Sequence, residues 1–188
     1  GDHRDLHRRR HSFPTRRSSD LVHGASGGVG TFAVQIASIL GAHVTALCSA
    51  PRMPQASDLG ADEVLDRAEV DLSTTDLRWD VVLGVNGQQR LSTYRRILAP
   101  GGRYAMVGGT YRQIFGALFL GRLYSTGGRS LRPVIHGPSP ELVADLADWV
   151  EQGRLRTVVE RTYPLEDAVA ALTAVDSGHS SGKVVVTM

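Results

Sequence analysis

Between the apolar run Leu21-Val22-His23 and a helical spacing of Phe32, Ile36, Ile39 and Leu40 lies Gly24-Ala25-Ser26-Gly27-Gly28-Val29-Gly30. A glycine-rich turn that leaves a strand and opens a helix admits few folds. Gly27 lets another group approach the backbone, and Gly30 lets the helix pack close to the strand. The N–H groups at the helix start, with the helix dipole, then form a ready site for an anion. Gly41 stops the helix.

The same alternation continues downstream. A second strand runs from His43 to Cys48, and Pro51 and Pro54 mark the next turn. A short helix is predicted up to Leu59, ended by Gly60. Strands follow at Glu63–Leu65, Trp79–Leu83 and Tyr104–Val107, with a helix over Leu91, Tyr94, Ile97 and Leu98 closed by Pro100-Gly101-Gly102. This order predicts an α/β fold, a doubly wound parallel sheet of the Rossmann type with about six strands and right-handed crossovers. Residues 112–124 read as a helix. Leu131 to Ile135 reads as the sixth strand, and Pro133 places it at the border of the sheet. Ser139-Pro140-Glu141 starts a further helix, with an N-cap, a first-turn proline and an acid facing the dipole. Leu142, Leu146, Trp149 and Val150 line its apolar face, and Gly153 ends it. The tail offers a helix from about Leu165 to Asp176 and a last strand, Lys183 to Thr187.

Composition sets the outer limits. The 188 residues are 41% hydrophobic and 21% charged, enough apolar content for a real core. Cys48 is the only cysteine, so neither a disulfide within the chain nor a cysteine-cluster metal site is available. No run of 18 apolar residues occurs, and no membrane partner is expected. Residues 1–20 carry six arginines and three aspartates, a net +3. The whole chain is +2, which leaves −1 for residues 21–188. The remaining basic residues are scattered, so no nucleic-acid partner is expected. The head, 1–20, has no periodicity and no apolar signal-peptide core. It reads as a non-native or disordered basic segment, of the kind left by translated sequencing-adapter read-through, with the native protein cut near Val22. A cytoplasmic location is the expectation.

The glycine turn fits a dinucleotide fingerprint, with Ala25 in place of its first glycine and Gly24 just before. A rival shares its residues. Gly24-Ala25-Ser26-Gly27-Gly28 also matches G-x-S-x-G, the nucleophile elbow of hydrolases, with His136 or His179 as base and Asp80 as acid. That fold needs several strands before its elbow, and the rival leaves Gly30 unexplained. A P-loop fails by counting, since Gly182-Lys183 is followed by valine and residue 177 is serine. At the end of the second strand an acid would bind the ribose 2′-hydroxyl of NAD. Cys48-Ser49-Ala50-Pro51-Arg52 stands there instead, with Ser49 as a donor and Arg52 as a partner for a 2′-phosphate. NADP(H) is therefore expected over NAD(H). The alternative for Arg52 is a solvated surface residue.

GASGGVGTFAVQIASILGAHVTALCS, LGADEVLD, WDVVLGVNG, LAPGGRYAMVGG and the closing YPLEDAVAAL and SGHSSGKVVVTM resemble the medium-chain dehydrogenase/reductase superfamily. Its quinone-oxidoreductase-like members, often labelled zinc-binding or NAD(P)-dependent alcohol dehydrogenases, are the nearest in pattern. The resemblance covers Val22 to Met188 in order and spacing. It implies an oxidoreductase that moves hydride between a nicotinamide and a carbonyl, quinone or activated alkene. It implies an NAD(P)-binding domain over 21–160 and a tail, 161–188, that would complete a GroES-like catalytic domain. That domain would supply the catalytic residues, any zinc ligands and the contacts to a small-molecule substrate, so no catalytic or zinc residue is expected in this chain and little turnover from it alone. Carried over residue by residue, Ser26, Gly27, Gly28 and Val29 match the pyrophosphate loop, and Ser49 and Arg52 the 2′-phosphate region. Val85, Asn86 and Gly87 match one loop near the nicotinamide and its ribose, and Val107, Gly108 and Gly109 another. Two departures stand out: relatives have an acid near Gly84, and Pro54 shortens a helix that usually starts earlier. A homodimer through the edge strand near 130–136 is implied as well. A non-catalytic nucleotide-binding module remains the alternative. His23 reads as a packing histidine and His179 as solvated.

Overall fold

The computed structural model describes residues 18–85, 89–108, 121, 124–134, 137, 139–176, 178 and 180–188. Strand β1 (Ser19–His23) leads through the glycine turn into α1 (Gly30–Ile39). There follow β2 (His43–Cys48), α2 (Met53–Asp58), β3 (Glu63–Asp66), β4 (Trp79–Val85), α3 (Leu91–Ile97), β5 (Leu98–Val107) and β6 (Ser130–Pro133). The tail adds α4 (Pro140–Glu151), β7 (Val159–Pro164), α5 (Ala168–Asp176) and β8 (Lys183–Thr187).

Among the described residues the main sheet has six parallel strands in the order β3-β2-β1-β4-β5-β6. The chain crosses to one side of β1 for β2 and β3, then to the other for β4 to β6. That reversal opens a crevice at the C-terminal ends of β1 and β4, where open α/β sheets bind ligands. The glycine turn leaves β1 at that point.

Successive side chains of a strand face opposite sides. Leu21 and Leu47 therefore join one core with Val82, Tyr94, Ile97, Tyr104 and Leu131. Val22, Ala46 and Cys48 join the other, with Val34 and Ala56 from α1 and α2. A parallel sheet needs cover on both faces; on β4 that cover is partial, since Val81 and Leu83 are half-buried and line an apolar cavity with Phe32 and Ile36 of α1.

The predicted order of elements holds, with differences at the edges. Strand β1 begins at Ser19, inside the segment read as a head, and Ser19 and Asp20 pair with His43 and Val44. The Ser19 N–H also donates to Asp80 at 3.0 Å. Strand β6 is the outer strand and Pro133 its last residue, where a missing N–H costs no ladder bond. Of the predicted 112–124 helix, only 121 and 124 are described, and 135 and 136 of the edge segment lie outside the described residues. Ser139 caps α4 as read, accepting from the Leu142 N–H. The apolar face of α4 is not covered: Leu142, Leu146 and Val150 stay 37–49% exposed. Strand β7 is absent from the sequence reading. It pairs in parallel with β8, and the 160/161 division falls within it.

Leu21 is fully buried and Val169 is 77% exposed. Leu21→Ala is expected to lower unfolding free energy by about 2–5 kcal/mol. Val169→Ala is expected to change it by no more than about 0.5 kcal/mol. Urea denaturation of both variants checks that the sheet, not the tail, carries the stability.

Candidate nucleotide-binding site

The turn is held from three sides. The N–H groups of Gly24 and Ala25 both donate to the Leu47 carbonyl of β2, at 3.2 and 3.3 Å. Gly24 has φ +87°, and a Cβ there would lie 2.6 Å from the Val85 carbonyl oxygen of β4. A Cβ on Gly30 would lie 2.0 Å from the Gly24 oxygen, so only glycine lets α1 approach this closely. The Gly27 N–H donates to Gly24, and the Thr31 N–H to Gly27. Among the described residues the N–H groups of Gly28 and Val29 have no acceptor. Val29 is the N-cap of α1, with no side-chain cap and no acid in the first turn. The buried Thr31 hydroxyl also has no partner. The helix start is thus electropositive and, among the described residues, uncompensated.

The tail closes on this loop. A Cβ on Gly28 would lie 2.9 Å from the Gly182 carbonyl oxygen and 3.2 Å from Lys183 Nζ. The ammonium of the sole lysine also stands 5.7 Å from the Phe32 ring centre and pairs with no carboxylate among the described residues. Sequence reading passed over Lys183, because its 155-residue separation from Gly28 hides the contact. Gln35 of α1 fixes the tail further along, accepting from the Arg156 N–H at 2.9 Å and donating to its carbonyl at 3.0 Å.

At the end of β2, Ser49 accepts from the Arg52 N–H at 2.8 Å through its carbonyl, and its hydroxyl has no partner among the described residues. Arg52 is not simply solvated. Its Nη2 lies 3.3 Å from Glu160 Oε1 on β7. The other Glu160 oxygen accepts from the Ser181 N–H at 2.9 Å. The Ser181 bond, with Arg52 and Arg161 nearby, holds the Glu160 carboxyl below its usual range.

The opposite wall is formed by Val85 at the end of β4 and by Val107 and Gly108 at the end of β5. Gly108 has φ +71° and open space around it. Asn86, Gly87 and Gly109 lie outside the described residues. Gly84, where the resemblance leads one to expect an acid, has no room for a side chain. A Cβ at Gly84 would lie 2.7 Å from the Tyr104 hydroxyl and 2.8 Å from its ring. Tyr104 stacks on Tyr94 at 4.2 Å, and the Tyr94 hydroxyl lies 2.9 Å from His23 Nδ1. Burial, then the Arg67 charge, pushes the His23 pKa down, which leaves a neutral hydrogen-bonding imidazole.

The hydrolase constellation does not assemble. Asp80 sits at the start of β4, bonded to the first residue of β1. Ser26 is beyond the other end of β1, on the order of 15 Å away by strand rise. His136 and His179 lie outside the described residues. Among the described residues no three His, Cys, Asp or Glu side chains gather to hold a metal ion. No helix among them is long and apolar enough to cross a membrane.

The family model for zinc-binding dehydrogenases matches residues 59–186. A mitochondrial NAD(P)H oxidoreductase of Mus musculus is 32% identical over 189 residues, spanning 89% of this chain and 47% of its own length. A chloroplast envelope quinone oxidoreductase homolog of Arabidopsis thaliana is 29% identical over 175 residues, spanning 91% of this chain and 53% of its own. The chain therefore spans about half the length of these curated relatives. The quinone oxidoreductase structure from Coxiella burnetii superposes with a TM-score of 0.80 at 24% identity, covering 91% of this chain and 53% of that one, and shares its fold.

Two outcomes test the wall of the crevice. Gly84→Asp, which forces a side chain against Tyr104, is expected to cost at least about 1–3 kcal/mol, measured by urea denaturation. Burial pushes the Tyr94 pKa up to about 12, and burial with Tyr94 beside it pushes Tyr104 up as well. An unfolded tyrosine ionises near 10, so the stability these rings contribute is intact below about pH 10 and is lost as pH rises toward 12. Tyrosinate absorbance and circular dichroism should therefore change together in that window.

Proposed function

Because the chain belongs to the zinc-binding dehydrogenase family, we propose that its glycine turn binds the pyrophosphate of a nicotinamide dinucleotide, with NADP(H) preferred to NAD(H). The whole protein, on this reading, is an oxidoreductase that transfers hydride between that cofactor and a carbonyl, quinone or activated alkene. One observation carries the reading. The N–H groups of Gly28 and Val29 stand unpartnered at the start of α1, beside the Lys183 ammonium, at the switch point of the sheet.

The residues divide the work by position. Gly27 and Gly28 keep the loop free of side chains, so the pyrophosphate oxygens reach the N–H groups of Gly28 and Val29. Ser26 is the remaining loop residue at the crevice. Lys183 adds a mobile positive charge from the tail. The free Ser49 hydroxyl donates toward the adenosine ribose, and Arg52 pairs with its 2′-phosphate. Val85 and Val107-Gly108 bound the nicotinamide end, where Gly108 lets the chain pass without a side chain. The bound nicotinamide supplies the hydride chemistry, while the protein orients it.

Calorimetric titration with NADPH and NADH in parallel tests the assignment. NADPH is expected to bind about tenfold or more tightly, a difference of about 1.4 kcal/mol. Arg52→Ala should erase most of that preference and leave NADH within about twofold. Equal weakening of both nucleotides would remove Arg52 from the 2′-phosphate, and a folded sample that binds neither would sink the cofactor reading.

A further inference from the structure

The Arg52 guanidinium is already engaged, and by a carboxylate that no strand-end motif predicts. Glu160 enters from β7, 108 residues away, and its Oε1 lies 3.3 Å from Arg52 Nη2. Its other oxygen is fixed by the Ser181 N–H at 2.9 Å, and Ser181 itself is buried. The Ser181 carbonyl in turn accepts from Gln55 Nε2 of α2 at 3.2 Å. Glu160 is therefore anchored through one carboxylate oxygen by the Ser181 N–H, while Arg52 touches the other through one nitrogen and is about a third exposed. The next two residues, Gly182 and Lys183, reach the pyrophosphate loop at Gly28. The stretch Ser181 to Lys183 thus both holds the acid beside Arg52 and brings a lysine to the glycine turn.

We propose that Glu160 sets nucleotide specificity by competing with a 2′-phosphate for Arg52. This rests on the cofactor reading above and deepens it. A carboxylate held by a backbone N–H stays in place, so Arg52 is the partner that must divide its donors. A guanidinium has five N–H donors and can serve two acceptors, but two anions drawn to one cation repel each other. The phosphate carries more charge than the carboxylate it competes with and can recruit the Ser49 hydroxyl. NADP(H) therefore binds against a resident acid, while NAD(H), with a neutral 2′-hydroxyl, meets no such opposition. Glu160 is a positioning residue for Arg52 and tempers the preference that Arg52 creates.

Glu160→Gln keeps the shape and an acceptor for the Ser181 N–H but removes the charge. NADPH should then bind about five- to tenfold more tightly, with NADH changed less than twofold, by calorimetry on the full chain. In an Arg52→Ala background the same change should alter NADPH affinity less than twofold, because the competition has lost its object. Glu160→Asp restores the charge and should return the ratio toward that of the parent. Thermal melts of each variant establish that the tail remains folded. An unchanged ratio in Glu160→Gln, or equal shifts for both nucleotides, overturns the proposal and leaves Glu160 as an anchor for Ser181. A full gain retained without Arg52 also overturns it, since Glu160 would then act on the phosphate directly. If both nucleotides bind the parent and the ratio fails to move, the cofactor reading stands alone. If neither binds, both fall.

Discussion

The contact of Gly30 with the Gly24 carbonyl determines how the rest of the site is built. A Cβ at Gly30 would stand 2.0 Å from that oxygen, a distance no side chain survives. Helix α1 therefore starts hard against the turn that ends β1, with its first N–H groups open to the crevice. The turn itself is held by Leu47 on β2 and abuts Val85 on β4, the two neighbours of β1. This explains how Ala25 can stand at the first fingerprint glycine. The left-handed conformation is taken one residue earlier, by Gly24 at φ +87°. Ala25 then needs no special backbone and turns its methyl into the core with Val22 and Val34, fully buried.

Much of this was legible because buried parallel strands read as short apolar runs. Leu21-Val22 and, on β2, Val44, Ala46, Leu47 and Cys48 lie in cores on both faces of the sheet, and Val82 lies in one of them. Pro133 marked its own strand as an edge, and Ser139-Pro140 marked a helix start. Strand β7 gave no such signal. Its residues Val159 to Thr162 are exposed, and it ends in proline, so neither period nor composition sets it apart. Only its pairing with β8, more than twenty residues on, makes it a strand. The missed site features share that cause. Arg52 with Glu160, Gly28 with Lys183 and Gly84 with Tyr104 are contacts between residues far apart in sequence, and a local motif holds no information about them.

The Gly84–Tyr104 contact also shows how a departure from a family pattern is to be weighed. An absent acid reads as a defect when the position is considered alone. In the fold, the Tyr104 hydroxyl occupies that space, and its ring stacks on Tyr94, whose hydroxyl meets His23 at the mouth of the glycine turn. A stacked aromatic pair fills that space, and burial raises the pKa of both phenols, which keeps them neutral. The floor below the loops that follow β4 and β5 is therefore packed rather than empty.

The tail stands in a different energetic position from the sheet it touches. Its helices α4 and α5 expose Leu142, Val143, Val169 and Leu172, whereas Leu21, Val22, Val44 and Val82 of the central strands are buried. Segments with few buried apolar contacts open more readily than a core. What fixes the tail to the sheet domain includes three polar contacts, Arg156 on Gln35, Glu160 on Arg52 and Ser181 on Gln55, and the close approach of Gly182 to Gly28. Two of those four involve the residues that border the candidate anion sites. A ligand that engages the glycine turn and Lys183 together can bind only the docked arrangement, so it must stabilise the tail by its own binding free energy. Order in the tail and occupancy of the loop are in that sense one equilibrium, because the same three residues, Ser181, Gly182 and Lys183, belong to both.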